Sequence, residues 1–344
     1  MMTNRFAIVM ATGIILMVAL AVACLLMGSV DITPGAVWNI IRGNSSGNVA
    51  WDIIVTRSRL PMIATAALSG AALAVAGLLL QTTFANPLAG PSILGVSGGA
   101  GLGVAVVMLC TGGAVGDLAG LTIGSNLSVL MAAWLGAGAV LAVLIAMAGV
   151  VRSNTMLLIV GVLVSYLTGS VVSLLNSLAT EEGVHNYVAW GFGTFNAVGL
   201  DHLPVFAIII GLCLVGAALL VKPLNAMLLG DRYAANLGVN VQSARVTLLA
   251  ITGMLTATVT AYCGPIGFVG LVVPHIARLA LATSDHSRLL PCCAVSGACV
   301  TLLCTLISTG GNHGIIPINA LTPIIGVPVI IYIILNRRRI SYFN

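Results

Sequence analysis

Residues 127–178 read LSVLMAAWLGAGAVLAVLIAMAGVVRSNTMLLIVGVLVSYLTGSVVSLLNSL, two apolar runs at 127–151 and 156–178 joined by Arg152-Ser153-Asn154-Thr155. Each run holds the roughly 20 residues a helix needs to cross about 30 Å of hydrocarbon. A soluble core helix would show a polar face, and these runs show none. Working outward, comparable runs stand at about 6–27, 60–80, 93–110, 203–221, 246–262, 266–282, 289–307 and 315–335. The expectation is therefore an all-α polytopic membrane protein of about ten transmembrane helices, one transmembrane domain over residues 1–344, with the lipid bilayer as its solvent.

Composition supports that expectation. Of the 344 residues 59% are hydrophobic and 6% charged, against about a quarter charged in an ordinary soluble domain. The net charge of +5 does not point to nucleic acid, because the basic residues stand singly between apolar runs instead of forming a patch. The first run exceeds the roughly 7–15 residues of a secretory h-region and lacks an A-x-A site, so it is expected to stay as a span.

An even span count puts both termini on one side. That side holds Arg5, Arg152, Lys222, Arg232, Arg245, Arg278, Arg288 and Arg337-Arg338-Arg339, while the other holds Arg42, Arg57 and Arg59. Excess positive charge marks the first side as cytoplasmic. Arg57 and Arg59 break the pattern and need a reason, either snorkelling at the interface or a partner outside.

Glycine recurs at four-residue spacing in Gly95, Gly99 and Gly103, which lets membrane helices approach closely. Cys263-Gly264-Pro265 reads as a tight turn between the seventh and eighth runs. Two segments are too short to cross. Residues 188–196 (VAWGFGTFN) suit the outer interface. Residues 224–242 (LNAMLLGDRYAANLGVNVQ) carry Met227, Leu228, Leu229 and Leu237 on a cytoplasmic loop broken by Gly230 and Gly238, which suggests docking to a partner.

No energy source is visible in the chain. The only lysine, Lys222, lies between Val221 and Pro223 and not in a GxxxxGK loop, so ATP cannot be cradled that way. The apolar runs contain no Asp or Glu, whereas ion-coupled transport ordinarily needs ionisable groups in the membrane. An ion-coupled secondary transporter is thus the weaker alternative. A further one is an intramembrane serine protease, because Gly95-Val96-Ser97-Gly98-Gly99 matches GxSxG; it would require an activating histidine, His275 being the nearest. The five histidines show no metal-ligand spacing, and adjacent Cys292 and Cys293 lack a neighbouring His. Neither a catalytic group nor a metal is expected in this chain.

Two long strings decide among these classes. One runs from Arg57-Ser58-Arg59-Leu60-Pro61 through Gln81 to Asn86-Pro87-Leu88-Ala89-Gly90-Pro91-Ser92-Ile93-Leu94-Gly95. The other is Gly264-Pro265-Ile266-Gly267-Phe268-Val269-Gly270-Leu271-Val272-Val273-Pro274-His275-Ile276-Ala277-Arg278, followed by Asp285-His286 and Leu289-Leu290-Pro291. Together they resemble the FecCD/BtuC-like permease family of the ABC importers for iron-siderophore, haem and vitamin B12. The resemblance covers nearly the whole chain.

It implies a type II importer permease in a bacterial inner (cytoplasmic) membrane. A second copy of the permease would form a homodimer around a central path. Two ATP-binding-cassette subunits would carry the ATP and Mg, and an extracytoplasmic substrate-binding protein would deliver the cargo. The family's docking arginines match Arg57 and Arg59. Its cytoplasmic gate matches Asn86, Pro87, Leu88, Asn154 and Thr155, although Asn86 can equally be read as capping its own turn. Its path helix matches the fifth run, where Tyr166, Thr168, Ser170, Ser173 and Asn176 cannot all share one face; Thr168 and Ser173 are the candidates. The coupling segment matches 224–242, with Met227, Leu228, Leu229, Gly230, Asp231, Ala234, Leu237 and Gly238 facing the ATPase. One departure stands out: an arginine and glutamate often present before the last span are missing from residues 308–317, so docking uses fewer charges or His313 substitutes.

Overall fold

The computed structural model describes residues 2–110, 125–151, 153–310 and 316–335. Arg152, Asp117, His313 and Arg337-Arg338-Arg339 lie outside the described residues. The chain order is α1 (Met2–Leu26), α2 (Pro34–Ile41), α3 (Val49–Ile53), a π-helical turn (Ile54–Arg59), α4 (Leu60–Thr83), α5 (Val96–Cys110), α6 (Ser125–Val150), α7 (Asn154–Leu178) and α8 (Glu181–Gly191). It continues with α9 (Leu203–Leu219), α10 (Val221–Met227), α11 (Asp231–Asn236), α12 (Val241–Cys263), α13 (Val269–Leu281), α14 (His286–Thr309) and α15 (Ile318–Leu335). Six helices are long and apolar enough to cross a membrane, α9 with α10 passes as one bent span, and three shorter apolar helices accompany them among the described residues. These coincide one for one with the apolar runs of the sequence.

α4 is the axis of the molecule. It packs against α14, α12, α13 and α9, and the shared core is lined by Leu73, Leu78, Leu79, Val259, Val273 and Leu302. A second core joins α5, α6, α7 and α12 through Leu94, Val104, Leu144, Leu157 and Leu249. Lipid tails are as apolar as leucine, so close backbone approach has to hold such helices together. A Cβ on Gly77 would land on the carbonyl oxygen of Gly270 in α13, and one on Gly99 would lie 2.5 Å from the carbonyl of Gly136 in α6. The expected stripe of Gly95, Gly99 and Gly103 is therefore a packing surface.

Several boundaries differ from the sequence reading. The second span is a continuous helix from Val49 to Thr83, opened by Asn48, whose side chain accepts from the Ala50 amide. Pro61 did not stop it. The wide π-helical turn just before Pro61 gives its ring room against the preceding carbonyls, which an α-helical turn would not. The eighth run is too short to cross: the 13 residues of α13 rise about 20 Å. Its approach, Gly264 to Phe268, is irregular backbone buried in protein, as the membrane requires of such segments. There Thr194 N–H donates to Cys263 O at 2.8 Å, and Asn319 accepts from Gly267 N–H at 3.4 Å and donates to Gly191 O at 3.3 Å. Residues 188–196 keep Val188 and Phe192 exposed. They form the end of α8 and a turn that buries Phe195 against this irregular backbone.

Candidate functional site

The hydrogen bonds sort the ends of the helices into two clusters. At one end Arg59 reaches the end of α1, Ser58 donates to Asn196 at 3.1 Å, and the turn after α8 meets Cys263. At the other end Arg5 donates to Ala280 O at 2.8 Å, Gln242 binds Ala148 O, and Asn225 binds Asp285 at 2.7 Å. The candidate gate and coupling segment both belong to this second end.

The gate turn follows α4 directly. Ala85 has φ +45°, a left-handed conformation that costs an alanine about 1–2 kcal/mol. It is held by Ala85 N–H to Thr82 O at 3.1 Å and Asn86 N–H to Gln81 O at 3.0 Å. The Asn86 side chain accepts from Leu88 N–H at 2.9 Å, so Asn86 caps its own turn. Leu88 is 47% exposed and Pro87 is half-buried. The turn is anchored from below by Gln81, which donates to Leu271 O at 3.2 Å and accepts from the buried Arg278 guanidinium.

Asn154 and Thr155 lie in the first turn of α7 and not before it; Ser153 is the N-cap and accepts from Met156 N–H. They also part company. Asn154 lines a groove of about 550 Å³ together with Thr82, Ala85, Met227, Tyr233 and Asn236, whereas Thr155 is exposed and stands outside that lining. The groove therefore runs from the gate turn to the coupling segment.

That segment starts earlier than expected, at Val221. Pro223 offers no N–H to the end of α9, and α10 leaves α9 at 54°. Gly230 and Gly238 break it at φ +96° and +85°. Met227 (6% exposed) and Ala234 (0%) face the core, so neither can meet an ATPase directly, contrary to expectation; Leu228 is half-buried. Leu229, Tyr233 and Leu237 are each more than half exposed and stand four residues apart. Tyr233, the exposed aromatic of α11, was missed; Leu229 and Leu237 lie in the turns on either side of that helix. Asp231 is bound to the buried Arg245 at 2.8 Å yet keeps 42% of its side chain exposed, and it lines the same groove.

At the opposite end the two candidate docking arginines separate. Arg57 is exposed. Arg59 is 4% exposed and donates to the carbonyls of Leu25, Leu26 and Val30. The first two belong to the last turn of α1, where carbonyls lack intrahelical partners and the helix dipole is negative. Arg59 thus clamps α1 to the start of α4 and presents no charge to a partner, which corrects its expected docking role. The spacing Arg-x-Arg concealed this, because two residues along a helical turn point nearly opposite ways.

The path candidates also separate. Thr168 is buried, donates to Ser165 O at 3.0 Å and packs where a Cβ on Gly98 would touch it, so it faces α5. Ser173 sits on the exposed face of α7. Ser97 shares a hydrogen bond with Thr260 of α12 at 3.1 Å, the arrangement of a packing serine.

A bundle of apolar helices in close backbone contact at Gly77 and Gly99, with an irregular buried approach to α13 and a bent segment at one end, is the architecture of an integral membrane protein. Residues 15–336 match the model of the FecCD transport family. The chain is 32% identical to the hemin transport system permease protein HmuU of Yersinia pestis, over 94% of each chain. It is 31% identical to the vitamin B12 import system permease protein BtuC of Escherichia coli, again over 94% of each. A solved chain described as an inward-facing conformation of a metal-chelate type ABC transporter superposes with a TM-score of 0.81 at 29% identity, covering 96% of this chain and 99% of that one. The chain belongs to the FecCD transport family, the permeases of ABC importers.

Proposed function

We propose that this chain is the transmembrane subunit of an ABC importer in a bacterial inner membrane, moving an iron chelate, haem or cobalamin into the cytoplasm by alternating access. Two copies pair around the path, which the free face of α7 with Ser173 lines. Two ATPases, which bind the ATP and Mg, dock on the coupling segment, and both termini are cytoplasmic. The cargo arrives on a binding protein that meets Arg57, a rim charge suited to steering and orienting more than to affinity.

The observation that carries this reading is the stripe Leu229, Tyr233 and Leu237, exposed beside a groove that leads to the gate turn. Exposed apolar side chains on a charged, water-facing end fit a partner's groove. Closure of two ATPases would move these stripes and, through the groove, the Asn86-Pro87-Leu88 turn and Asn154.

In a strain lacking its own haem, siderophore and cobalamin permeases, this chain with its ATPase and binding protein restores growth on one of the three as sole source; failure on all three overturns the reading. Leu229→Asp combined with Leu237→Asp releases the ATPase from the purified complex. Retained co-purification would refute the docking surface.

A further inference from the structure

Asp285-His286 is a sequence feature that no role above absorbs. The structure sets it between the coupling segment and the gate. Asn225 of α10 donates from Nδ2 to Asp285 Oδ1 at 2.7 Å, while its Oδ1 accepts the His286 backbone N–H at 2.8 Å. Those two bonds fix the amide, because an ionised carboxylate only accepts and an N–H only donates. The Asn225 oxygen also lies 2.9 Å from His286 Nδ1, so Nδ1 carries the proton. Nε2 is then the acceptor, and the Thr82 hydroxyl at 2.7 Å is its donor. His286 is 0% and Thr82 3% exposed.

With a neutral imidazole the bonds of this chain run in one direction, from Asp285 through Asn225 and His286 to Thr82. Two of its members lie on the coupling segment and at the foot of α4. Asn225 belongs to α10, beyond the 54° bend at Pro223. Thr82 belongs to the last turn of α4, and its carbonyl holds the amide of Ala85, the strained residue of the gate turn. Thr82 also has two acceptors for one proton, His286 Nε2 at 2.7 Å and Leu78 O at 3.1 Å. Withdrawal of His286 would leave the hydroxyl Leu78 O as its acceptor and the buried His286 Nε2 unpaired, so the two arrangements differ by about one buried hydrogen bond. A hydroxyl with an alternative acceptor can be biased by displacement of either neighbour.

We propose that Asn225, His286 and Thr82 are positioning residues that transmit displacement of the coupling segment to the gate turn. This rests on the reading of 224–242 as the ATPase dock and of 86–88 as the gate. When α10 moves, Asn225 drags or releases the imidazole, and the Thr82 hydroxyl turns between His286 and Leu78. The last turn of α4 then releases or holds Ala85.

The test uses the complete permease with its ATPase in lipid nanodiscs, carrying Leu88→Cys as reporter, and a polar maleimide as probe. The labelling rate is compared with Mg-ATP and vanadate and without nucleotide; the same complex lacking the reporter gives the background. In the parent, nucleotide changes the rate severalfold. Thr82→Val should erase that nucleotide effect, because one buried hydrogen bond is worth about tenfold in an equilibrium, with ATPase attachment and hydrolysis retained, and Thr82→Ser should restore it. A parent-like response in Thr82→Val, or no rescue by Thr82→Ser, overturns the proposal. Loss of ATPase attachment in Thr82→Val also overturns it, since the role is then structural. If the parent itself shows no nucleotide effect, the coupling and gate reading fails and the proposal with it. If the parent responds and Thr82→Val does too, the relay alone fails.

Discussion

α4 and α7 are both long, equally apolar helices able to span a membrane, yet most of the α4 span is buried inside the protein and most of the α7 span is not. In water such a contrast would be written in hydropathy, since the buried face must be the apolar one. In lipid both faces are apolar, and what distinguishes them is size. α4 reads LPMIATAALSGAALAVAGLLLQTT, with small residues on every side, and is surrounded by α12, α13 and α14. α7 carries Leu163, Tyr166, Leu167 and Leu174 outward, where only lipid or a second copy can meet them.

The largest expected effect comes from adding bulk to each. Gly77→Leu in α4 drives a side chain into the Gly270 backbone and should cost about 3 kcal/mol or prevent assembly. Gly169→Leu in α7 meets nothing within 4 Å and should stay within about 0.5 kcal/mol. Thermal unfolding of the detergent-purified chains measures both, and equal losses would break the contrast.

A smaller effect separates the two arginines at the head of α4. Arg59→Ala leaves the carbonyls of Leu25, Leu26 and Val30 without their donor, a loss of about 2 kcal/mol for charge-assisted bonds. Arg57→Ala should leave stability unchanged and weaken capture of the binding protein, read as slower association that high salt masks. If Arg59→Ala is as stable as Arg57→Ala, the clamp is wrong.

The smallest is a pH effect at the foot of α14, which packs on α4. Partial burial pushes Asp285 upward, but the hydroxyl and amide of Ser287, the amide of Asn225 and nearby Arg288 outweigh it and hold its carboxyl below the usual carboxylate value. A depressed value means that the stabilisation is complete above the ordinary carboxylate range and fades as pH falls through the folded value. Asp285→Asn should therefore narrow the loss of thermal stability between neutral and acid pH. An unchanged pH profile would show that Asp285 contributes nothing there.

The sequence alone determined the class and the order of the spans. Apolar runs of sufficient length have no alternative to helix in a bilayer, because lipid offers the backbone no hydrogen-bond partner. The two long motifs carried the family in the same way. Direction was left to tertiary structure. Whether Arg59 faces a partner or the end of α1, whether Thr168 faces the path or α5, and whether Met227 meets an ATPase or the core are questions of rotation about a helix axis. Hydropathy fixes that rotation in water. In a membrane it does not, so only the packing of backbone against backbone at Gly77 and Gly99, the π-helical turn before Pro61 and the bend at Pro223 decided which side chains look outward.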